Sequence, residues 1–361
     1  MMIEPGHQSN DNWIVAKNEL ILVTGAAGFI GAAVVKRFLE KGFTNLRCLV
    51  RTQASAARLR LQLVSDKEAA AVEVFQGNLL SREDCRRAAS GASVVVHLAA
   101  GRGEKSYPDA FMNSVVTTRN LIEASLANGC LQRFVNISSF SVYSNRNKKK
   151  RRLLDESCPI DQRPKQRGEA YTFAKVKQDE IVMEYGSSAS LPFVIVRPGH
   201  VFGPGNEAIS GRVGIDTFGI FLHMGGPNTI PLTYVDNCAE AVVLAGLRPG
   251  VEQEVFNVVD DDLPTSRQFL RLYKKNVGHF RSLYVPHCWS YALCWLWERY
   301  SAWSHGQLPP VFNRARWSAF WKRTSYSNKH LKDRLGWEPA VSMKEGLRRY
   351  FEACQAKGAN A

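Results

Sequence analysis

Much is missing from this sequence of 361 residues. Its eight cysteines, Cys48, Cys85, Cys130, Cys158, Cys238, Cys288, Cys294 and Cys354, form no C-x-x-C pair and have no metal-like spacing with histidine. No metal centre is therefore expected. No run of about 18 uninterrupted apolar residues occurs, so no spanning helix is expected. The opening MMIEPGHQSNDNW lacks the basic-then-apolar profile of a secretory leader, and a reducing cytoplasm is the expected setting. The 27 glycines and 15 prolines follow no period of three, which excludes a collagen-like chain. Acid is in short supply: 33 Asp and Glu face 47 Lys and Arg, a net charge of +14. That balance suits a phosphate-bearing small molecule or an anionic lipid surface, though a well-solvated basic enzyme carries it equally well. Nucleic acid is not expected, because no aromatic residues interleave the basic run at 148–152.

What is present is an ordinary globular composition, 45% hydrophobic and 22% charged. Short apolar runs alternate with helical spacing. Strands are expected at Glu19–Thr24, Leu46–Val50, Val72–Phe75, Val94–Leu98, Phe134–Ile137 and Phe193–Val196. Helices are expected at Ile30–Lys41, Ala54–Leu63, Phe111–Asn128 and Ala170–Tyr185. Strands that are apolar throughout, alternating with helices, imply an α/β fold with a doubly wound parallel sheet covered on both faces. Residues 1–17 read as a loose lead-in and 18–200 as a dinucleotide-binding unit. Residues 201–361 read as a mainly substrate-binding region, smaller and interleaved, that returns elements to the sheet.

The first strand runs into Thr24-Gly25-Ala26-Ala27-Gly28-Phe29-Ile30-Gly31. Gly25 permits a tight turn, Gly28 lets backbone approach a pyrophosphate, and Gly31 lets the helix pack on the strand. The helix N-terminus then offers free N–H groups to phosphates. Gly25, Ala27, Gly28, Phe29 and Ile30 are thus candidate nucleotide contacts. The second strand ends at Arg51, where an acid would bind the ribose 2′-OH of NAD. Arg51 instead offers a fork of donors to a 2′-phosphate, which favours NADP over NAD; Arg58 or Arg60 would serve equally, and Arg51 could simply close the sheet edge. Asn78 and Leu79 follow the third strand, where an adenine edge could be read. Leu98, Ala99 and Ala100 end the fourth with small side chains that leave room for cofactor.

Tyr171 and Lys175 lie one helical turn apart on one face. A cation beside a phenol stabilises the phenolate and suits it to proton exchange with an alcohol. Upstream, Ile137-Ser138-Ser139-Phe140-Ser141-Val142-Tyr143 follows a strand, and a hydroxyl there could bond a substrate oxygen. With RPGHVFGPG at 197–205, PLTYVDN at 231–237 and LGWEP at 335–339, these motifs make the chain resemble an extended short-chain dehydrogenase/reductase of the NAD-dependent epimerase/dehydratase family. The resemblance implies a Rossmann-type fold, Tyr171 as acid/base, Lys175 as ribose contact, and Ser139, four residues before Tyr143, as the substrate hydroxyl contact. It implies Arg197 and Pro198 as cofactor contacts, His200 facing substrate, and a homodimer. Hydride would pass between a substrate carbon and the nicotinamide. Phe140-Ser141 stand where related dehydratases carry Asp-Glu, so dehydration is not expected. Ser114 stands where the family usually has Asn, with Asn113 one position early.

Three readings of function follow. The first is oxidation, reduction or epimerisation of a nucleotide-sugar or lipid-linked sugar. The second is a 3β-hydroxysteroid-dehydrogenase-like or NADPH-dependent ketone reductase. The third is a nucleotide-binding protein without turnover. Two segments fit none of these by themselves. The basic loop 145–167 is either an electrostatic funnel or a solvated surface. The aromatic stretch Tyr284–Trp303 suits a membrane interface, a dimer interface or a lid over an apolar pocket.

Overall fold

A computed structural model describes residues 12–63, 68, 70–101, 106–145, 153–217, 219–304, 307 and 312–359. The lead-in up to residue 11 and the basic run 148–152 lie outside the described residues.

The apolar runs become strands as expected. The first half of the chain gives β1 (Leu20–Thr24), α1 (Phe29–Glu40), β2 (Leu46–Val50), α2 (Gln53–Gln62), β3 (Val72–Gln76), α3 (Arg82–Ala89) and β4 (Ala92–His97). Then come α4 (Tyr107–Ala110), a π-helical turn (Phe111–Val116), α5 (Thr117–Ala127), β5 (Arg133–Ile137), a two-residue β6 (Leu153–Leu154), α6 (Ala170–Ala189) and β7 (Phe193–Pro198). The expected single helix Phe111–Asn128 is thus a π-turn followed by an α-helix. The Thr117 and Thr118 hydroxyls both bond the Ser114 carbonyl at that junction, at 3.1 and 2.5 Å, which gives the backbone a competing partner.

Seven strands form one sheet in the order β12-β7-β5-β4-β1-β2-β3, with β12 at Val255–Val258. Every pairing in it is parallel. Strand periodicity sorts the core into two layers. Ile21, Val23, Val94, Val96 and Val135 pack with Val34 and Phe38 of α1 on one face. Leu22, Val95, Phe134 and Ile195 pack with Leu121, Ile122, Ile181 and Val182 on the other. This is the doubly wound α/β architecture read from the sequence.

Between β7 and β12 the chain makes an excursion through β8 (His200–Phe202), β9 (Gly214–Thr217), β10 (Ile220–His223), β11 (Leu232–Tyr234) and α7 (Val235–Leu247). After β12 come α8 (Ser266–Asn276), β13 (Ser282–Tyr284), α9 (His287–Trp303), α10 (Arg314–Phe320), β14 (Ser325–Tyr326), α11 (Lys329–Leu335) and α12 (Met343–Ala359). β8 and β11 pair in parallel outside the main sheet, and a separate core gathers around Phe202, Tyr234, Phe269 and Tyr350. Two late motifs meet here. Asp260 accepts from Thr233, the Tyr234 N–H and Asn237, each at 2.9 Å, and Asn237 accepts from the Val341 N–H. The Trp337 indole donates to the Asn237 carbonyl at 2.9 Å. PLTYVDN and LGWEP therefore clasp the C-terminal segment to α7.

Candidate active site

The site is built on the turn between β1 and α1. Gly25 has φ +70°, and a Cβ there would lie 2.8 Å from the Ala99 nitrogen. A Cβ on Gly31 would lie 2.2 Å from the Gly25 carbonyl oxygen. Both positions need glycine, the first for its left-handed backbone and the second for helix–turn contact. Gly28 is the N-cap of α1 and has no side chain to cap it, so the first N–H groups of the helix face outward unpaired by any side chain.

Two adjoining cavities share Gly25, Gly28, Leu98 and Ala100. The larger, of about 510 Å³, is lined by Phe29, Ile30, Ser139, Tyr171, Lys175, Pro198 and His200. The second, of about 430 Å³, is lined by Ala27, Arg51, Asn78, Leu79 and Ala99. Apart from Arg60, an alternative to Arg51, each candidate residue but one therefore lines the cleft. The exception is Arg197. Its guanidinium is buried, paired with Asp179 at 3.0 Å, and donates to the Tyr143 hydroxyl at 3.0 Å. It holds β7 to α6 and lines neither cavity.

Other residues line the cleft beside these, among them Ser55, Asn206 and Ala208, which the sequence did not single out. Ser55 and Arg58 join Arg51 in the second cavity, while Asn206 and Ala208 join His200 in the first. Arg60 lines neither. Asn113 faces the second cavity, and Ser114 accepts the Gly101 N–H at 3.1 Å, tethering the loop after β4.

The donor set fits a dinucleotide: an uncapped helix N-terminus midway, arginines at one end, and hydroxyl and ammonium groups at the other. Gly199 sets the approach of His200, because a Cβ there would lie 2.3 Å from the Pro231 carbonyl oxygen, to which the His200 N–H donates.

Tyr171 and Lys175 share α6 but not an environment. Tyr171 is 38% exposed at the cleft, whereas Lys175 is 4% exposed. The Lys175 ammonium donates to the Ile137 carbonyl at 2.6 Å and to Gln178 Oε1 at 2.8 Å. Gln178 in turn donates to Thr118 Oγ1 at 2.8 Å, and His97 Nε2 lies 2.9 Å from the same oxygen. His97 Nδ1 lies 2.8 Å from Thr24 Oγ1.

The directions of these bonds are fixed by elimination. Thr118 spends its proton on the Ser114 carbonyl, so its oxygen accepts from both Gln178 and His97. His97 therefore carries its proton on Nε2 and accepts from Thr24 at Nδ1. A neutral ring is what burial demands. Desolvation first, and the Lys175 charge second, push the His97 pKa down to about 3. A continuous polar chain thus joins the end of β1, beside the glycine turn, to Lys175.

Ser139 accepts the Ser141 N–H at 3.1 Å, capping the short turn Phe140–Val142, and this leaves its hydroxyl proton to donate into the cavity. Ser138, its neighbour, is buried. Arg167, at the end of the basic loop, is neither funnel nor solvated surface. It is buried, paired with Glu169 at 3.1 Å, and bonds the Ser141 carbonyl. The loop's end is therefore a brace beneath the turn that holds Ser139.

Cinnamoyl-CoA reductase 1 of Oryza sativa subsp. japonica is 30% identical over 190 residues, 52% of this chain and 55% of that protein. The 3beta-hydroxysteroid-dehydrogenase/decarboxylase isoform 1 of Arabidopsis thaliana is 24% identical over 312 residues, 78% of this chain and 66% of that protein. The chain thus spans between about half and two thirds of the length of these curated relatives. Among solved structures, the UDP-glucuronic acid 4-epimerase from Bacillus cereus in complex with NAD superposes with a TM-score of 0.68 at 19% identity, covering 94% of this chain and 99% of that one. This last likeness is one of fold. The family model described as "NAD dependent epimerase/dehydratase family" matches residues 21–258, from within β1 to the last residue of β12, and the chain belongs to that family.

Proposed function

We propose that the protein binds NAD or NADP, with NADP preferred, and interconverts a secondary alcohol and a ketone. The observation that carries this reading is that Ser139, Tyr171 and Lys175 line the same cavity as Gly25, Gly28 and Gly31. The cofactor, when bound, supplies the hydride chemistry. The uncapped N-terminus of α1 holds its pyrophosphate. Arg51 and Arg58 together line the cavity at the end where a 2′-phosphate would be recognised, which supports the preference for NADP.

The chain's own residues manage the substrate oxygen. The Tyr171 phenol passes a proton to or from it. The Lys175 ammonium, one turn away, favours the phenolate and so suits Tyr171 to that exchange near neutral pH. The Ser139 hydroxyl donates to the same oxygen and orients it. His200 and Asn206 face the substrate side of the cavity.

The substrate class we favour is a nucleotide-sugar or lipid-linked sugar, since the fold matches a sugar-nucleotide epimerase over nearly the whole chain. A second reading, an NADPH-dependent ketone reductase or hydroxysteroid-dehydrogenase-like enzyme, is favoured by the two curated relatives above and by Arg51.

The test has two parts. Denaturing freshly purified protein and identifying any released nucleotide by mass spectrometry separates the readings. Retained NAD favours a recycling epimerase, while an empty protein that binds NADPH favours net reduction. Tyr171→Phe, assayed against a panel of nucleotide-sugars and ketones, is expected to bind dinucleotide normally and turn over roughly 10²–10⁴-fold more slowly. Unchanged turnover would remove Tyr171 from the mechanism.

A further inference from the structure

Helix α9 is built inside out. Its inward line, Ser290, Cys294 and Ser301, is small and buried. Its outward line, Trp289, Leu293, Leu296, Tyr300 and Trp303, follows a spacing of i, i+4, i+7, i+11 and i+14, one stripe of a helix. These five side chains are 66%, 56%, 53%, 49% and 73% exposed. The stripe runs about 21 Å along the axis. An aligned row of large apolar groups facing out is not the scatter of single apolar residues common on protein surfaces.

The inner side of α9 is already engaged by α10. The Trp317 indole donates to Ser290 Oγ at 2.8 Å, its ring meets Tyr291 edge-on at 5.0 Å, and Arg314 pairs with Glu298 at 2.7 Å. The helix is therefore held in this orientation, and α10 is fixed beside the cleft by the Arg316–Glu169 pair at 3.3 Å, two residues before Tyr171. A lid closing over the cleft would turn its apolar stripe inward, and this one points the other way.

Charge identifies the occupant. Between Ser266 and Arg323 the sequence holds ten Lys or Arg and a single acid, Glu298. Two such segments brought face to face would repel, which disfavours a second copy of this chain. An anionic bilayer surface matches both features. Tryptophan and tyrosine are favoured at the headgroup level, leucines reach the acyl boundary, and a segment of net positive charge is drawn to anionic lipid. Among the described residues no helix is long and apolar enough to cross a membrane. We propose that α9 seats the protein on the surface of an anionic membrane through the Trp289–Trp303 stripe, without spanning it.

The experiment is co-flotation of the full chain with phosphatidylcholine vesicles, with and without phosphatidylserine, at low and high salt. Native protein is expected to float with the anionic vesicles about tenfold more readily than with neutral ones, and added salt should erode that difference. Trp289→Ser combined with Trp303→Ser is expected to lower partitioning about tenfold while far-UV circular dichroism and the melting temperature stay unchanged. The proposal is overturned if native protein stays with the buffer, or if the double variant floats as well as native. It is overturned too if native protein sediments as a dimer that the double variant splits, which would assign the stripe to a second copy.

Discussion

The polar chain beneath Lys175 and the surface of α9 invert one another. In the first, charged and polar groups are buried among apolar ones and each bond has a direction: Lys175 to Gln178, Gln178 to Thr118, His97 to Thr118, Thr24 to His97. In the second, tryptophans and leucines face out while two serines and a cysteine face in. The interior arrangement is costly to disturb, because an unpaired group in low dielectric keeps its full desolvation penalty. The exterior one costs the fold little, because its five large side chains stay about half exposed or more. On the proposals made above, the first region would serve chemistry and the second contact. Mutation should therefore separate them by size of effect on stability.

The largest expected effect lies at Arg197. Arg197→Met leaves the Asp179 carboxylate buried without its cation and the Tyr143 hydroxyl without one of its bonds. Breaking a buried pair from one side costs about 3–5 kcal/mol. Denaturant melts should show that loss, and adding Asp179→Leu should recover most of it. If the single variant melts like native protein, the interior is far more forgiving than the comparison holds.

The acid limb comes next. The folded pKa of His97 is about 3, below the ordinary 6.5, so the unfolded chain takes up a proton in that interval that the folded chain refuses. Its contribution to stability is complete above pH 6.5 and is lost as pH falls toward 3. Asp260 runs the other way: burial raises its pKa to about 6, so its contribution is lost as pH rises through that value. Comparing native protein with His97→Asn between pH 4 and 6 isolates the histidine, since Asp260 is common to both. The native slope should be steeper by up to about 1.4 kcal/mol per pH unit. Equal slopes would mean that His97 is not held neutral.

Gln178→Met removes one acceptor from the Lys175 ammonium and one donor from Thr118 while keeping the volume. Turnover should fall about tenfold, the equivalent of about 1.4 kcal/mol, close to the lower end of the worth of a hydrogen bond to a charged group. Gln178 is a positioning residue, so the diagnostic readout is the pH profile. With Lys175 less firmly held as a cation, the Tyr171 phenolate is less favoured and the profile should move to higher pH. A drop in turnover with an unmoved profile would give Gln178 a purely structural part.

How much of this was legible in the sequence follows the same division. The glycine turn was readable because backbone sterics admit few alternatives at Gly25 and Gly31. Tyr171 and Lys175 were readable because helix geometry fixes where i and i+4 point. Arg197 was misplaced because a strand sends neighbours to opposite faces: Pro198 reaches the cleft and Arg197 turns to Asp179. The partners that orient Lys175 were not readable, since Gln178 meets Thr118 across 60 residues of sequence. Arg167 looked like loop surface because no local pattern announces a partner on another element. For α9 the aromatic content was plain but its direction was not. An apolar stripe has the same spacing whether it faces a core or a bilayer, and only the packing of Ser290 and Cys294 against the rest of the chain decides.

The smallest effect is the sharpest test of that last point. Trp289→Ser combined with Trp303→Ser removes two of the largest side chains in the protein. Had they been core residues, each truncation would cost several kcal/mol through lost burial and a cavity. Because both project outward from α9, the pair should change unfolding free energy by no more than about 0.5 kcal/mol, the range of ordinary surface substitutions. Denaturant melts of the two proteins decide it. A loss of several kcal/mol would mean that the stripe is covered in the folded protein, and the contrast between a paired interior and an unpaired helix face would collapse. A null result leaves the stripe's apolar surface as something the fold does not use, and so in need of a partner from outside it.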